Sequence, residues 1–588
     1  MTVQSKTKSK SVVEERLDTT EMSNLPRRFG FATQGLSDPA LDSLPLADRV
    51  AAKLLAFQAE AAPQRTFVHF KGQTLTYREA DHRAIRCANA LAAHDIGRGS
   101  RVAVLLSNRL EFLDLWFGLT RLGAVQVPIN IEYKSAQIVQ LFRRSAIEAV
   151  VVESGLLDEL LLALDVLQCS TKIFLITDPQ TVVTAAGAAP TAARAKKDPR
   201  VADAVDFSAA LADASESKLT DLPGVSGGDL GVIMNTSGTT GPSKGVMLSH
   251  AQQYILGRMI AADMNLGPDD VYYNSFPLFH NTAQAMIALP VLLTGASMVL
   301  VERFSASRFW PDIISHRCTA FYYIGEIVRI LLKSTTAADA IGAQLRVGWG
   351  IGASAKDFAR FGSQFNVAMR TGYGSTEANV PCYLPHGSEK LQSCGRVAPG
   401  FEIQICDETG AAVTPGEVGE ILIRSTEPFA MMIGYDNDPA ATAEAWREGW
   451  FHSGDAGKLD LDGDLFFQGR LKDSIRIRGE NVSAFEVEQA ISEVDGVLEV
   501  AAIAVPSELG GDDLKIVVVK RVGSAIGPEN LIDHSRRVLP RYSVPRYVEF
   551  SDALPKTPTN KVQKHLLRKD PFTPNTWDRD SAKQGSTH

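Results

Sequence analysis

A run of small, hydroxylated and flexible residues surrounds one lysine near the middle of the chain. The three glycines let the backbone approach a ligand closely, and successive backbone N–H groups in such a turn can bind an anion. The hydroxyls add hydrogen bonds, and the lysine adds a positive charge. We therefore predict a loop that holds a polyphosphate, made of Ser237, Gly238, Thr239, Thr240, Gly241, Pro242, Ser243, Lys244 and Gly245.

Two other interpretations of this run are weaker. An ordinary surface turn also uses Ser, Gly and Pro, but it rarely combines so many hydroxyls with a lysine between two apolar stretches. A Walker loop would need glycine at position 243 and Ser or Thr at 245, where the chain has Ser243 and Gly245. The stretch 246–248 is typical of a short strand, and Ser249 with Gln252 three residues later indicates a helix start. The loop is therefore predicted to join two strands.

The stretch 236–250, TSGTTGPSKGVMLSH, resembles the phosphate-binding signature of the acyl-adenylate-forming superfamily. That superfamily includes acyl-CoA synthetases, the adenylation modules of nonribosomal peptide synthetases and firefly-type luciferases. LTYREADHRA at 75–84 and FGLTRLGAVQVPIN at 117–130 are similar to two of its early signatures. The resemblance covers roughly residues 45 to 570, and GENVSAFEVE at 479–488 is most similar to synthetases for carnitine-type, medium-chain or ring-containing acids.

A second stretch, 372–377, places an aromatic ring between glycines and ends in a carboxylate. The glycines fit a loop that presents the ring to a planar base, and a Glu carboxylate suits Mg²⁺, although such an aromatic is more often a packing residue. The resemblance implies Tyr373 against adenine, Thr376 on the α-phosphate and Glu377 on Mg²⁺. It assigns the rest of the nucleotide site and the wall of the adenine and acyl pocket to Gly372, Gly374, Ser375, Gly352, Ala353 and Ser354.

Asp455 follows a tight turn, and paired hydrogen bonds from a carboxylate to a ribose diol are common nucleotide chemistry. An ordinary turn aspartate is the alternative. The resemblance implies that Asp455 and Arg470 hold the ribose and that Lys472 is a hinge. It also implies that Lys561, in preference to Lys556 or Lys564, is the mobile catalytic lysine. Two departures from the family pattern are mild. Ser453 stands where the family usually has Thr, and Asn560 stands where it commonly has Gly; Asn also adopts the left-handed turn conformation.

These parts allow a two-step ligase reaction. A substrate carboxylate attacks the α-phosphate of ATP to give an acyl-AMP and pyrophosphate, mainly through positioning and charge neutralisation. Lys244, Thr240 and Mg²⁺ on Glu377 would hold the pyrophosphate, while Lys561 stabilises charge at the α-phosphate. CoA is then the thiol acceptor, and the resemblance implies that rotation about the hinge brings Arg478 and Gly479 to the thiol channel.

The acid itself is only partly indicated. Adenylation modules for amino acids place an aspartate after the phosphate loop, whereas this chain has the apolar, aromatic stretch 276–281, FPLFHN. Amino acids are therefore disfavoured. His280 is a candidate gate of the acyl pocket, with a hydrogen-bonded, half-buried histidine as the alternative. We expect an ATP-dependent acid–CoA ligase; a carrier-protein loader is the second hypothesis, disfavoured because the chain ends soon after Lys561, and a luciferase is a distant third.

Composition limits the other function classes. The chain has 588 residues, 45% of them hydrophobic and 22% charged, and a net charge of −8, which disfavours a nucleic-acid partner. Six scattered cysteines indicate neither disulfides nor a structural metal. We find no signal peptide, and Glu111, Asp114 and Arg121 exclude a membrane span in the most apolar helix candidate. A cytoplasmic enzyme is expected, with a homodimer left open.

Helices and strands alternate at a spacing that predicts an α/β fold. The expected architecture is a large N-terminal domain of parallel sheets packed with helices, a small β-subdomain, and a small mobile α+β C-terminal domain. The predicted boundaries are a tail at 1–45, the AMP-binding domain at 46–470 with its β-subdomain at about 395–468, a mobile lid domain at 471–570, and a tail at 571–588. Residues 185–203 are predicted to form an exposed loop.

Overall fold

The computed structural model describes residues 43–177, 198–217, 224–236, 244–471, 474–477, 480–507, 512–556 and 562–584. We call residues up to 471 the large unit and those from 474 the small unit, because the two have separate buried cores. The domain boundary predicted near residue 471 adjoins residues 472–473, which lie outside the described residues.

The helices and strands follow one another along the whole described chain. The strands are β1 (Thr66–Phe70), β2 (Gln73–Thr76), β3 (Arg101–Leu105), β4 (Val125–Pro128), β5 (Ala149–Glu153), β6 (Lys172–Ile176), β7 (Val205–Asp206), β8 (Leu230–Thr236), β9 (Lys244–Ser249), β10 (Val271–Asn274), β11 (Ser297–Leu300), β12 (Ala320–Ile324), β13 (Val347–Ile351), β14 (Ala368–Ser375), β15 (Asn379–Tyr383), β16 (Arg396–Val397), β17 (Phe401–Cys406), β18 (Gly419–Ser425), β19 (Gly434–Tyr435), β20 (Trp446–Arg447), β21 (Trp450–Leu459), β22 (Leu465–Arg470), β23 (Ser474–Ile477), β24 (Glu480–Ser483), β25 (Val497–Pro506), β26 (Asp512–Lys520), β27 (Tyr547–Phe550) and β28 (Trp577–Asp578).

The α-helices are α1 (Ala51–Ala61), α2 (Tyr77–Ala92), α3 (Leu110–Leu122), α4 (Ser135–Ser145), α5 (Leu157–Leu167), α6 (Pro199–Ala202), α7 (Phe207–Asp213), α8 (His250–Asp263), α9 (Leu289–Thr294), α10 (Ala306–Ser315), α11 (Gly325–Ser334), α12 (Ala355–Phe365), α13 (Pro439–Ala445), α14 (Ala484–Ser492), α15 (Pro528–Val538), α16 (Lys564–Lys569) and α17 (Arg579–Gln584). A π-helix spans Thr282–Ala288, and short 3-10 helices span Leu46–Asp48, Ser154–Leu156, Ala337–Ala340 and Arg541–Ser543.

Three sheets build the large unit. One has eight strands in the order β19-β9-β8-β4-β3-β5-β6-β7, and another has nine in the order β16-β15-β14-β13-β12-β10-β11-β1-β2. The third has the order β17-β18-β21-β20, with β22 paired to β21. The central pairs of the two larger sheets, such as β3 with β4 and β12 with β13, are parallel. The predicted α/β fold with parallel sheets and helices is confirmed.

Local signals in the sequence explain where the elements begin and end. The hydroxyl of Thr76 accepts a hydrogen bond from the Glu79 N–H, and the Glu79 carboxylate accepts one from the Thr76 N–H, which caps the start of α2. Helix α3 ends at Gly123, whose φ of 67° lies in the left-handed region that favours glycine. The inner parallel strands are continuous apolar runs, as expected when both faces are covered.

One buried cluster connects all three sheets of the large unit. Phe67 in β1, Val104 in β3 and Ile423 in β18 belong to the same continuous core. Because packed side chains have few voids, the relative positions of the sheets are fixed, and so are the strand ends that carry the site residues.

The small unit contains the hairpin β23-β24 and the sheet β25-β26-β27-β28 around its own core. Trp577 in β28 pairs with Val548 in β27, and Arg546 forms an ion pair with Asp578. Residues 577–584 therefore add a strand and a helix to this unit, and the predicted tail at 571–588 is wrong for them. The ion pair is not visible from local sequence pattern, which is why the addition was missed.

Three further predictions concern the loop at 185–203, the cysteines and a membrane span. Residues 198–203 of the predicted loop at 185–203 include the short helix α6, capped by Asp198, while 185–197 lie outside the described residues. All six cysteines are free thiols. Within the described ranges, no helix combines the length and the apolar character needed to cross a membrane.

Candidate active site

The predicted phosphate loop connects β8 and β9. These strands are antiparallel, with Thr236 opposite Lys244, so the predicted strand–loop–strand arrangement is confirmed and a Walker loop, which precedes a helix, is excluded. Two contacts support the loop ends: Arg144 donates to Oδ1 of Asn235, and the N–H of Asp436 donates to the carbonyl of Gly245 at 2.7 Å. The residues between the strands lie outside the described part of the chain, and they include Ser237, Gly238, Thr239, Thr240 and Gly241.

Tyr435 joins the loop lysine to the predicted magnesium ligand. The Nζ atom of Lys244 lies 4.4 Å from the centre of the Tyr435 ring, within the range of a cation–π interaction. The Tyr435 hydroxyl donates a hydrogen bond to Oε1 of Glu377 at 3.2 Å. Burial, together with the Glu377 carboxylate, raises the pKa of Tyr435, so the hydroxyl remains a donor. Tyr435 was not predicted as a site residue, because no local spacing in the sequence relates it to the phosphate loop.

The backbone at Thr376 and Glu377 is fixed by the helix that follows the phosphate loop. The Ser249 hydroxyl accepts a hydrogen bond from the Gln252 N–H at 3.1 Å, which confirms the predicted helix start. The side chain of Gln252, by contrast with its backbone N–H, donates a hydrogen bond to the carbonyl of Thr376 at 3.0 Å. A second tie runs from the N–H of Met432 to the Glu377 carbonyl at 2.8 Å. Thr376, the predicted phosphate residue, and Glu377, the predicted metal ligand, are thus connected through α8 to β9, the strand that follows the phosphate loop.

The prediction that Tyr373 sits in a glycine-rich loop is wrong. It lies within β14, and its side chain is buried. A Cβ at Gly372 would overlap with the carbonyl oxygen of Cys382, and one at Gly374 with that of Asn379, so the glycines allow the close approach of β15. The hydroxyl of Ser375, at the end of the strand, accepts a hydrogen bond from Ala378.

The structure brings together the two predicted ribose residues. Nε of Arg470 lies 2.9 Å from Oδ1 of Asp455, and the Tyr373 hydroxyl donates to Oδ2 of Asp455 at 2.7 Å. Arg470 also donates to the carbonyl of Ser453 at 3.2 Å. Gly454, with φ of 68°, turns the strand so that the Asp455 carboxylate is buried while Arg470 is half exposed. This geometry leaves an oriented carboxylate beside the aromatic ring predicted to face adenine.

The residues predicted to line the adenine and acyl pocket lie at the carboxyl end of β13. Gly352 has φ of 78°, and the absence of a side chain at Gly325 lets α11 begin directly against the Gly352 carbonyl. Ala353 follows it, and the Ser354 hydroxyl accepts a hydrogen bond from Asp357, which caps α12. The capping bond gives Ser354 a structural role in addition to any contact with a ligand.

His280 lies in a bend before the π-helix. Its Nδ1 atom is 3.1 Å from the hydroxyl of Thr282. Nearby, the rings of Phe276 and Tyr322 meet edge to face, with centres 4.9 Å apart. Phe276 and Gly325 follow the carboxyl ends of the parallel strands β10 and β12, at the same sheet edge as Gly352, where ligands bind in open α/β sheets.

Besides the residues of the phosphate loop, four more predicted residues are outside the described part of the chain: Lys472, Arg478, Gly479 and Lys561. Their flanks are described. Lys556 and Val562 pair as an isolated β-bridge on either side of residues 557–561, and Ile477 closes β23 before residue 478.

A separate acidic group lies in the hairpin between β21 and β22. Asp460, Asp462 and Asp464 face one another, and Nζ of Lys390 lies 2.6, 2.6 and 3.0 Å from their oxygens. Lys390, together with Arg396 at 3.6 Å from Asp464, therefore offsets part of the negative charge of these three carboxylates.

Two family models match this chain. The AMP-binding enzyme family matches residues 55–436, and the AMP-binding enzyme C-terminal domain matches residues 486–561. This chain belongs to the AMP-binding enzyme family, and the recognition made from its phosphate-binding signature is confirmed.

Individual relatives are similar over most of their length. A crotonobetaine/carnitine–CoA ligase from Proteus mirabilis is 30% identical over 504 residues, covering 84% of this chain and 93% of that protein. A feruloyl-CoA synthase from an Amycolatopsis species is 33% identical over 519 residues, covering 87% and 97%. Among solved structures, ATP-bound MatB from Rhodopseudomonas palustris has a TM-score of 0.76 at 26% identity, covering 88% of this chain and 98% of that one.

Proposed function

We propose that this chain is an ATP-dependent carboxylic acid–CoA ligase that forms and then consumes an acyl-AMP. The observation that carries the proposal is the connection of Lys244 to Glu377 through Tyr435, at the end of a loop suited to polyphosphate. This connection supports a role for Lys244 as a cation for the phosphates and for Glu377 as an oxygen ligand for a metal. CoA ligases at 30% and 33% identity support the thiol acceptor.

The first step is phosphoryl-centred displacement. A carboxylate oxygen of the acid bonds to the α-phosphorus of ATP, the bond to the β-phosphate breaks, and pyrophosphate leaves with the electron pair. Lys244 and the loop N–H groups hold the leaving pyrophosphate, Asp455 and Arg470 hold the ribose, and Lys561 stabilises the charge that develops at the α-phosphate.

In the second step the CoA sulfur bonds to the acyl carbon, the thiol proton is released, and AMP leaves. Neither step requires a covalent intermediate on the protein. Arg478 and Gly479 are assigned to the thiol channel, with Lys472 as the hinge about which the small unit turns.

The chemistry of Glu377 suits a magnesium ion. Oε1 of Glu377 accepts the Tyr435 hydrogen bond, and across the described residues its Oε2 makes no hydrogen bond or ion pair. A half-buried carboxylate oxygen beside a phosphate loop is the type of ligand that Mg²⁺ takes, usually together with phosphate oxygens and water. Bound there, Mg²⁺ would neutralise charge on the departing phosphates.

The acid is proposed to have a neutral, ring-containing or apolar acyl group. Phe276 and Tyr322 pack edge to face at the sheet edge near Gly352, and His280 beside them is hydrogen-bonded to Thr282. A quaternary ammonium such as that of carnitine would be favoured by a carboxylate, and FPLFHN at 276–281 contains none. The similarity to a feruloyl-CoA synthase supports the same class.

The test is pyrophosphate release from ATP and Mg²⁺ against aromatic, aliphatic and carnitine-type acids, each with and without CoA. We expect CoA-dependent turnover, an accumulating thioester and the highest kcat/KM with an aromatic or apolar acid. Acid-dependent release that stalls after one turnover and is unaffected by CoA would overturn the CoA assignment in favour of carrier-protein loading. Preference for carnitine would overturn the assignment of the acid.

A further inference from the structure

An ion-pair bridge connects the small unit to the large unit. Nζ of Lys556 lies 2.8 Å from Oε1 of Glu326 and 2.8 Å from Oε1 of Glu499. Glu326 is in the first turn of α11 in the large unit, while Glu499 is in β25 of the small unit. Only 21–28% of each side chain is exposed, so solvent screens these charges less than those of a surface pair.

The large-unit end of the bridge lies against the wall of the proposed acyl site. Glu326 directly follows Gly325, which packs on the carbonyl of Gly352. A force on the Glu326 side chain therefore acts on the first turn of a helix that touches the proposed adenine and acyl wall.

The small-unit end is rigidly attached. The Gln563 N–H donates to the carbonyl of Pro555 at 2.7 Å, and its side chain donates to the carbonyl of Lys556 at 2.6 Å. Together with the bridge between Lys556 and Val562, these bonds fix the backbone from which Lys556 projects. Lys561, five residues further along the chain, lies outside the described residues, and the described positions on either side of it are paired with each other.

The other charges between α11 and the small unit are mixed in sign. Near the other end of α11, burial and the neighbouring Arg521 and Arg329 lower the pKa of Lys333 to about 8. Arg521 belongs to the small unit and repels Lys333, whereas Asp357 in the large unit and Glu499 in the small unit attract it. At Lys556 the balance is opposite: burial disfavours its charge, but the hydrogen bonds that it donates to both glutamates raise its pKa. The Lys556–Glu326 pair is therefore a direct ion pair between the units, whereas the charges around Lys333 partly cancel.

We propose that Lys556 is a positioning residue for acyl-AMP formation: its ion pair with Glu326 holds the small unit in the arrangement of this structure. This rests on the proposed ligase function. The same pair must break when the small unit turns for thioester formation, so Lys556 favours the first half-reaction and opposes the change to the second.

The test separates the half-reactions in the full-length enzyme. Acid-dependent ATP–pyrophosphate exchange reports acyl-AMP formation, and single-turnover mixing of enzyme-bound acyl-AMP with CoA reports thioester formation. We expect Lys556→Gln to lower the exchange kcat about tenfold, with KM for ATP and acid nearly unchanged, and to leave thioester formation equal or faster. Lys556→Arg should restore most of the exchange rate.

Matched variants distinguish positioning from folding. Glu326→Gln removes the contact between units from the large-unit side and should reproduce the effect of Lys556→Gln. It therefore tests the positioning role even if Lys556→Gln folds poorly. Glu499→Gln keeps the Lys556–Glu326 ion pair but removes a charge that attracts Lys333 of the large unit, and it should have a smaller effect. Lys564→Gln, which breaks a pair with Glu488 inside the small unit, should change neither half-reaction.

Equal losses in both half-reactions, or no loss in Glu326→Gln, would overturn the positioning role. Absence of acid-dependent exchange in the unmodified enzyme would instead overturn the ligase function itself, so the two failures are distinguishable.

Discussion

The hydroxyl of Tyr435 donates a hydrogen bond to Oε1 of Glu377 across 3.2 Å. The same ring lies under the ammonium group of Lys244, so a single aromatic side chain orients both the proposed phosphate cation and the proposed metal ligand. Because the ring cannot shift toward one without changing the other, phosphate and metal binding should be coupled.

Replacing Tyr435 with Phe keeps the ring under Lys244 and removes the hydrogen bond to Glu377. We expect the Mg²⁺ concentration that half-saturates ATP–pyrophosphate exchange to rise about fivefold to tenfold, as for loss of a hydrogen bond that contributes about 1 kcal/mol. Tyr542→Phe, at an exposed position of the small unit, is the control. An unchanged Mg²⁺ dependence would contradict the role of Tyr435.

Asp455→Asn should weaken ATP binding strongly. The amide keeps the shape of the side chain, but it loses the charge that pairs with Arg470 and the second acceptor oxygen that a ribose diol needs. We expect the Kd for ATP, measured by calorimetry, to rise about a hundredfold, with a smaller effect of Asp462→Asn in the exposed hairpin. Equal affinities of the two variants would contradict the ribose assignment.

Lys561→Ala should separate the two half-reactions. Loss of the charge at the α-phosphate is expected to slow acyl-AMP formation about a thousandfold, while thioester formation from supplied acyl-AMP is retained. Lys564→Ala should preserve both rates. If thioester formation fell as far as acyl-AMP formation, Lys561 would act in overall folding or in both steps.

Stability should fall in mild acid because of His250. Its ring is buried beside Gly231, and burial, only partly offset by Asp229, lowers its pKa to about 4. An unfolded histidine titrates near 6.5, so between pH 6.5 and 4 the unfolded chain binds a proton that the folded chain does not. The stabilisation is present above this window and is lost as pH falls through it, by about 3 kcal/mol in total.

The measurement is urea unfolding of the large unit at pH 7.5 and 4.5. His250→Gln should reduce the loss of stability between these pH values, whereas His82→Gln, at a half-exposed position, should not. The same pH dependence in all three proteins would contradict the assignment to His250.

Features that depend on neighbouring residues could be predicted from the sequence. The strand–loop–strand geometry around Lys244 and the helix start at Ser249 follow from local hydroxyl, glycine and apolar patterns, and both are confirmed. The α/β class follows from the alternation of elements, and the family from a long contiguous signature.

Features that depend on distant partners were missed or misread. The glycines around Tyr373 fit a loop until the carbonyls of β15 are placed beside them. Tyr435 and Lys556 gain their roles from residues far away in the chain, Glu377 and Glu326, and no local spacing encodes those contacts. The strand at Trp577 likewise depends on pairing with β27.

The apolar cluster that the three sheets of the large unit share also has a calorimetric consequence. A chain whose sheets share one interior melts as one cooperative block, whereas the small unit, with its own interior, can melt independently. Heating should therefore produce two heat-absorption peaks, and ATP should move chiefly the peak of the block that holds Lys244 and Asp455, because a ligand stabilises only the folded state that binds it.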